Sequence, residues 1–185
     1  MGKIQNTNTK RIKIKALMLL ATAVVFLPGS AVASLASEES DVRAVVQQVF
    51  QQLQSRNYGS VYDSLPSSSR TRMTRDGFIR ALGRAQDRYV LDRINIGAVR
   101  VAGNIAVADT ELYGRVSSPF PAEGKIVVQQ YLVREGGKWR VATGDTGTIN
   151  KFLKTNPAFA RKFPIRQPKV FVKQGDQWIE FNPKR

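Results

Sequence analysis

The spacing of apolar residues changes once along this chain, near residue 89. Before that point, apolar side chains recur every three or four residues, which places them on one face of a helix. Three segments follow this pattern: 38–54, 58–65 and about 75–89. Pro66 and the three serines after it are expected to end the second helix.

Beyond residue 89 the chain is rich in β-branched and aromatic residues, which favour strands. Four segments have this composition: 89–101, 104–115, 125–134 and 138–143. Three helices followed by a meander of about four strands predict an α+β domain. We place this domain at residues 34–150.

The first 33 residues have the order of a cleaved secretory signal peptide. Five cations precede an uncharged apolar run at 16–27, and the small residues that a signal peptidase accepts end at Ala33. Cleavage after Ala33 predicts export to the periplasm or the extracellular space. The alternative is a single-pass membrane anchor, because residues 16–37 carry no charge and are long enough to span a bilayer.

The composition excludes several kinds of site. The chain contains no Cys and no His, which removes Ser-His-Asp and Cys-His mechanisms and the usual zinc sites. It also contains no Gly-rich phosphate loop and no nucleophile elbow. We therefore expect neither a cofactor nor a bound metal.

Positive charge is concentrated in residues 151–185, which hold nine basic and two acidic residues with aromatic residues between them. We interpret this segment as a basic aromatic C-terminal extension that ends in a hairpin at 170–181. Five cations are candidates for contact with an anionic surface: Lys151, Lys154, Arg161, Lys162 and Arg166. Export makes an anionic envelope surface the expected partner, and nucleic acid is not expected.

A second basic feature lies in the third helical segment. Arg80, Arg84 and Arg88 follow one another at four-residue steps, which places them on one helix face. An arginine stripe suits phosphate or anionic lipid, but our first interpretation is a solvated helix face.

Three short segments resemble the nuclear transport factor 2-like superfamily, above all its small exported bacterial members. They are QSRNYGSVYDSLPSSSR at 54–70, RDGFIRAL at 75–82 and YLVREGGKWRVATGD at 131–145. The resemblance covers roughly residues 38–145. It implies three helices packed on a curved antiparallel sheet, a cystatin-like cone with a ligand pocket at its wide end.

The resemblance also implies partners and site residues. Five aromatic residues are candidates for lining the pocket: Tyr62, Phe78, Tyr113, Tyr131 and Trp139. The expected partners are a small apolar ligand or another protein, and the sheet offers a surface for a homodimer.

Some relatives are enzymes, so carboxylates were considered as catalytic groups. Asp109 shares a strand face with Tyr113 and is a weak candidate for a general base, with Tyr113 or Tyr131 as a hydrogen-bond donor. The Asp145-Thr146-Gly147 triplet matches that of aspartic proteases, but we expect it to form a turn that closes the last strand.

These observations favour a non-catalytic exported binding or accessory domain that uses the cone pocket or the sheet face. Two alternatives stay open. One is a small enzyme of the isomerase or dehydratase type that works through a pocket carboxylate. The other is a membrane-anchored component of an envelope assembly.

Overall fold

A computed structural model describes residues 30–117 and 121–181. The predicted signal segment therefore lies almost entirely outside the described residues, and cleavage after Ala33 stays a prediction. Ala33 itself falls within the first helix, α1, which runs Ser30–Gln54. None of the helices in the described ranges combines the length and the apolar character needed to cross a membrane.

Within the described residues four helices precede the strands, where three were predicted. After α1 come α2 (Tyr58–Asp63), α3 (Ser67–Arg72) and α4 (Arg75–Gln86). The additional helix is α3, which begins directly after Pro66. Proline lacks an N–H, and the start of a helix needs none, so Pro66 precedes a new helix here in addition to following α2.

Four strands, two helices and two further strands follow. They are β1 (Tyr89–Ala102), β2 (Ile105–Val116), β3 (Ala122–Glu135), β4 (Lys138–Val141), α5 (Thr146–Thr155), α6 (Pro157–Lys162), β5 (Lys169–Gln174) and β6 (Gln177–Phe181). All six strands form one antiparallel sheet with the order β1-β2-β3-β5-β6, and β4 also pairs with β3. The predicted α+β class is confirmed.

The long strand β3 has two neighbours on its outer side. Its first half, at Gly124–Val127, pairs with β5, whereas its second half, at Leu132–Glu135, pairs with β4. The C-terminal residues thus extend the same sheet that the central residues form. The division of the chain at residue 151 stays a prediction.

Side chains of the central strands alternate between two apolar clusters, because successive residues of a strand point to opposite faces. On one face, called the α1 face here, Ala106, Ala108 and Leu132 pack with Val42 and Val46 of α1.

On the other face, called the α5 face, Val107 and Tyr131 pack with Ile149, Leu153 and Phe159 of α5 and α6. The central part of the sheet is therefore covered on both sides. A helical layer from the N-terminal half lies on one face, and a layer of α5 and α6, which begins just before the predicted boundary at residue 151, lies on the other.

Candidate functional site

An apolar cavity of about 360 Å³ lies on the α1 face, between the C-terminal end of α1 and the first strands of the sheet. Apolar side chains form most of its wall: Leu53, Leu91, Leu112, Val116, Ile126 and Val170. Leu112 and Val116 are two of the even-numbered residues of β2, which face α1. The alternation that builds the core therefore also makes this cavity apolar.

Two glycines explain why the cavity is open at this place. Gly114 of β2 and Gly124 of β3 lie directly opposite each other, and both line the cavity. A Cβ atom on Gly114 would lie 2.4 Å from the carbonyl oxygen of Val90, so only glycine allows this approach of the backbones. A Cβ atom on Gly124 would lie 3.6 Å from Val116 Cγ2 and would fit.

Towards the middle of α1 the space is nearly filled. A void of about 50 Å³ remains between Val46, Phe50 and Ile94, and it shares Leu53 and Leu112 with the larger cavity. The open volume thus lies near the C-terminal end of α1, where Leu53 is the last residue of the helix that lines the cavity.

Two residues with polar side chains line the cavity near the start of β1. Arg88 is exposed, and within the described residues its guanidinium forms no ion pair. Tyr89 is half-buried, and burial, together with the nearby Tyr58, raises the pKa of its hydroxyl. Tyr89 is therefore neutral near pH 7 and can donate a hydrogen bond.

Tyr113 and Lys125 also border the cavity, but their side chains lie on the α5 face. The Tyr113 ring packs edge-on against Trp178 at 5.8 Å between ring centroids, and Lys125 Nζ lies 4.8 Å from the centroid of the Phe171 ring. No carboxylate is among the described residues that line the cavity.

The five aromatic candidates do not meet in one pocket. Of these, only Tyr113 borders the apolar cavity. Trp139 lines an open groove of about 610 Å³ beside α1 and α2, and Phe78 lines another of about 520 Å³ near the start of α5.

The other two aromatic candidates are held by hydrogen bonds to the backbone. The Tyr62 hydroxyl lies 3.0 and 2.9 Å from the carbonyl oxygens of Arg70 and Met73, which share its one hydrogen, and this contact fixes α3 against α2. Tyr131 is buried in the cluster on the α5 face and donates to the carbonyl oxygen of Phe163 at 2.8 Å. Both arrangements hold elements of the fold together.

Asp109 lies on the opposite side of the sheet from the apolar cavity. It is exposed on the α5 face, two residues beyond Val107, and accepts a hydrogen bond from Arg166 Nη2 at 2.7 Å. The backbone N–H of Arg166 donates to Gln129 Oε1 at 2.9 Å. Asp109 thus contributes to an ion pair that positions the segment after α6, and it has no access to the cavity.

Asp145 begins α5 and connects it to α3. Its carboxylate accepts the backbone N–H and the hydroxyl of Thr148 at 3.0 and 2.7 Å and the hydroxyl of Ser69 at 2.5 Å, and it pairs with Arg72. Burial opposes its ionisation, but these hydrogen bonds outweigh burial and hold the pKa of Asp145 well below its ordinary value. The backbone N–H of Asp145 also donates to Ala142, closing a turn after β4 as expected.

The C-terminal cations lie on the outside of the layer formed by α5 and α6. The helix α5 buries Ile149 and Leu153 and exposes Lys151 and Lys154. Arg161 and Lys162 of α6 are exposed as well, and among the described residues none of these four cations has an ion-pair partner. The fifth candidate, Arg166, is paired with Asp109.

Comparisons with known proteins give little beyond this geometry. No family model and no curated protein matches the sequence. One solved structure that resembles the chain is described as an NTF2-like protein of unknown function from Pseudomonas putida KT2440. The two have a TM-score of 0.38 and 14% sequence identity, over 57% of this chain and 82% of that chain. A likeness this low indicates neither a ligand nor a reaction.

Proposed function

We propose that this protein is a non-catalytic, exported binding domain whose site is the apolar cavity at the end of α1. The cavity itself supports the proposal. Its volume of about 360 Å³ lies within the range of small-molecule sites, and its wall is chiefly Leu, Val and Ile. The export component of the proposal rests on the signal-like order of the first 33 residues.

The same cavity argues against the enzyme alternative. An isomerase or dehydratase would need a base within reach of its substrate. The described wall of the cavity has no carboxylate, and Asp109 lies on the other face of the sheet. The wall instead offers apolar contact to a ligand. Burying roughly 200 Å² of apolar ligand surface contributes about 5 kcal/mol to binding before the cost of association.

Filling the cavity tests the proposal. We expect the neutral fluorescent probe N-phenyl-1-naphthylamine to bind the full chain, with an increase in emission. Gly124→Leu should abolish this binding because the added side chain enters the cavity. Gly124→Ala should retain it, since a Cβ atom there makes only ordinary contacts.

Circular dichroism of both variants controls for folding. The absence of probe binding to the natural chain would contradict the proposal, and so would unchanged binding by a folded Gly124→Leu variant.

A further inference from the structure

We propose that the occupant of the cavity is an anionic amphiphile, a molecule with one apolar chain and a carboxylate or phosphate head held by Arg88. This inference rests on the proposed function, because it specifies what the cavity binds.

Arg88 is one of the residues that line the cavity, and it is exposed to solvent. The two acidic residues nearest to it in sequence are already paired, Asp87 with Arg56 at 3.4 Å and Asp92 with Arg115 at 3.0 Å. The exposed guanidinium of Arg88 therefore keeps its positive charge without a partner among the described residues. An arginine that lines an apolar cavity suits a ligand with a carboxylate or a phosphate, which a guanidinium can bind through two parallel hydrogen bonds.

The backbone of Arg88 is fixed by hydrogen bonds. Its carbonyl oxygen accepts hydrogen bonds from the backbone N–H and the hydroxyl of Ser117, at 3.0 and 3.1 Å. These bonds tie the junction between α4 and β1 to the end of β2. The charge is thus carried by a flexible side chain on a fixed base, and replacing the side chain leaves these two backbone contacts in place.

An apolar row continues the cavity in the direction away from Arg88. Ile126, Val170 and Phe181 lie opposite one another on β3, β5 and β6, and their exposed fractions are 38%, 37% and 56%. The first two also line the cavity. Since neighbouring strands are about 4.8 Å apart, the row extends about 10 Å from β3 to the sheet edge.

The sheet order places the two features at opposite ends of the site. Arg88 precedes β1, whereas Phe181 belongs to β6 at the far edge. A ligand with its charged head at Arg88 and its chain across the sheet would cover both. A cationic head would find no carboxylate among the described residues of the cavity wall.

Displacement of N-phenyl-1-naphthylamine from the full chain tests the inference. The competitors are dodecanoate, dodecyl phosphate, dodecanol and dodecyltrimethylammonium, which share a chain and differ in the head. We expect the anions to displace the probe at concentrations about tenfold lower than the alcohol, the effect of one charge-assisted hydrogen bond. The carboxylate and phosphate arms show which anion is preferred.

Arg88→Gln should remove this advantage of the anions over dodecanol. Arg88→Lys should keep part of it. The matched control is Arg80→Gln, which removes the same charge two turns away on α4, outside the cavity wall. It should change anion affinity less than about twofold.

The apolar row has its own test. Affinity should rise from hexanoate to dodecanoate, and Phe181→Ser should remove part of that rise. Equal displacement by dodecanol and dodecanoate, or an Arg88→Gln variant that still prefers anions, would overturn the inference while probe binding upholds the proposed function. If the probe fails to bind at all, the proposed function falls and this inference falls with it.

Discussion

At the scale of single residues, Gly114 and Gly124 are the two positions in the described wall of the cavity that carry no side chain. They lie opposite each other on β2 and β3, and both line the cavity. Gly114 is required by the backbone itself, because Val90 approaches too closely for a Cβ atom. The backbone around Gly124 leaves space for a Cβ atom, so glycine is not required there by close contact. The missing side chain of Gly124 leaves the adjacent part of the cavity open.

Asp145 also acts at this scale, and its charge should contribute to stability. We expect Asp145→Asn to lower the free energy of unfolding at pH 7 by about 1–3 kcal/mol, because hydrogen bonds to a partly buried carboxylate are lost or weakened. Urea denaturation measures this change. Asp87→Asn is the control, since its ion pair with Arg56 is exposed on both sides and should contribute less than about 1 kcal/mol.

The same pair of variants gives a pH dependence. The folded pKa of Asp145 lies below its ordinary value of 3.8, so ionisation favours the folded state. This contribution is complete above about pH 5 and decreases as the pH falls through 3.8 towards the folded pKa. The difference between the natural chain and Asp145→Asn should therefore shrink on acidification. A difference that stays constant down to acid pH would contradict this role.

At the scale of elements, α5 decides whether the C-terminal residues belong to the fold. Its apolar residues have the spacing of a short amphipathic helix, and they pack on Val107 and Tyr131 of the sheet. The hairpin that follows is hydrogen-bonded to β3. The basic composition of this segment gives no indication that it packs against the sheet, because its cations face outward while its apolar residues are buried.

Two isoleucines provide a matched comparison, one in α5 just before residue 151 and one in the segment after α6. Ile149 of α5 is 2% exposed and Ile165 is 36% exposed. We expect Ile149→Ala to lower the free energy of unfolding of the whole protein by about 2–4 kcal/mol, through lost burial and the cavity left behind. Ile165→Ala should cost less than about 1 kcal/mol.

Equilibrium denaturation followed by tryptophan fluorescence measures both variants. A single shared transition that moves with Ile149→Ala is the expected outcome. A separate early transition for the C-terminal residues, with the remainder unaffected, would show that they fold as an independent unit.

At the scale of the whole molecule, helices cover the central part of the sheet on both faces. The helices α5 and α6 cover the central part of the α5 face, so this part of the sheet is closed to the homodimer that was expected from the sequence. Their outer side presents a group of cations without partners among the described residues. This distribution suits an anionic surface, because several neighbouring cations add their attraction within a Debye length.

We therefore expect the protein to bind vesicles that contain anionic phospholipid and to be released by salt. A variant with Gln at four exposed, unpaired positions should lose this binding: Lys151, Lys154, Arg161 and Lys162. A control variant should retain it with Gln at four cations that form ion pairs: Arg56, Arg75, Arg115 and Lys169.

Cosedimentation at low and high salt measures the binding of both variants. Because the two variants have the same net charge, equal loss of binding would show that total charge matters and that the position of the four cations does not.

The sequence indicated most of the elements, because helical and strand spacing are local properties. The first helix, the four central strands and the turn before α5 all follow from residues close together in the chain. It missed α3, since Pro66 suits the start of a helix as well as the end of one. A pocket was expected from the resemblance alone, and no pattern in the sequence indicated the place or the wall of the cavity at the end of α1.

Of the five aromatic residues expected to line a pocket, only Tyr113 borders this cavity, whereas Tyr131 lies in the opposite cluster. Aliphatic side chains such as Leu112, Val116 and Ile126 form most of the wall. A shift of one residue along a strand moves a side chain to the other face of the sheet, and only the packing of the helices determines which face is enclosed. The sequence by itself therefore determined the α+β order and the basic C-terminal segment. The tertiary structure decided that α5 covers one face and that two opposed glycines leave a cavity on the other. That cavity depends on contacts between residues far apart in the chain, which no local pattern records.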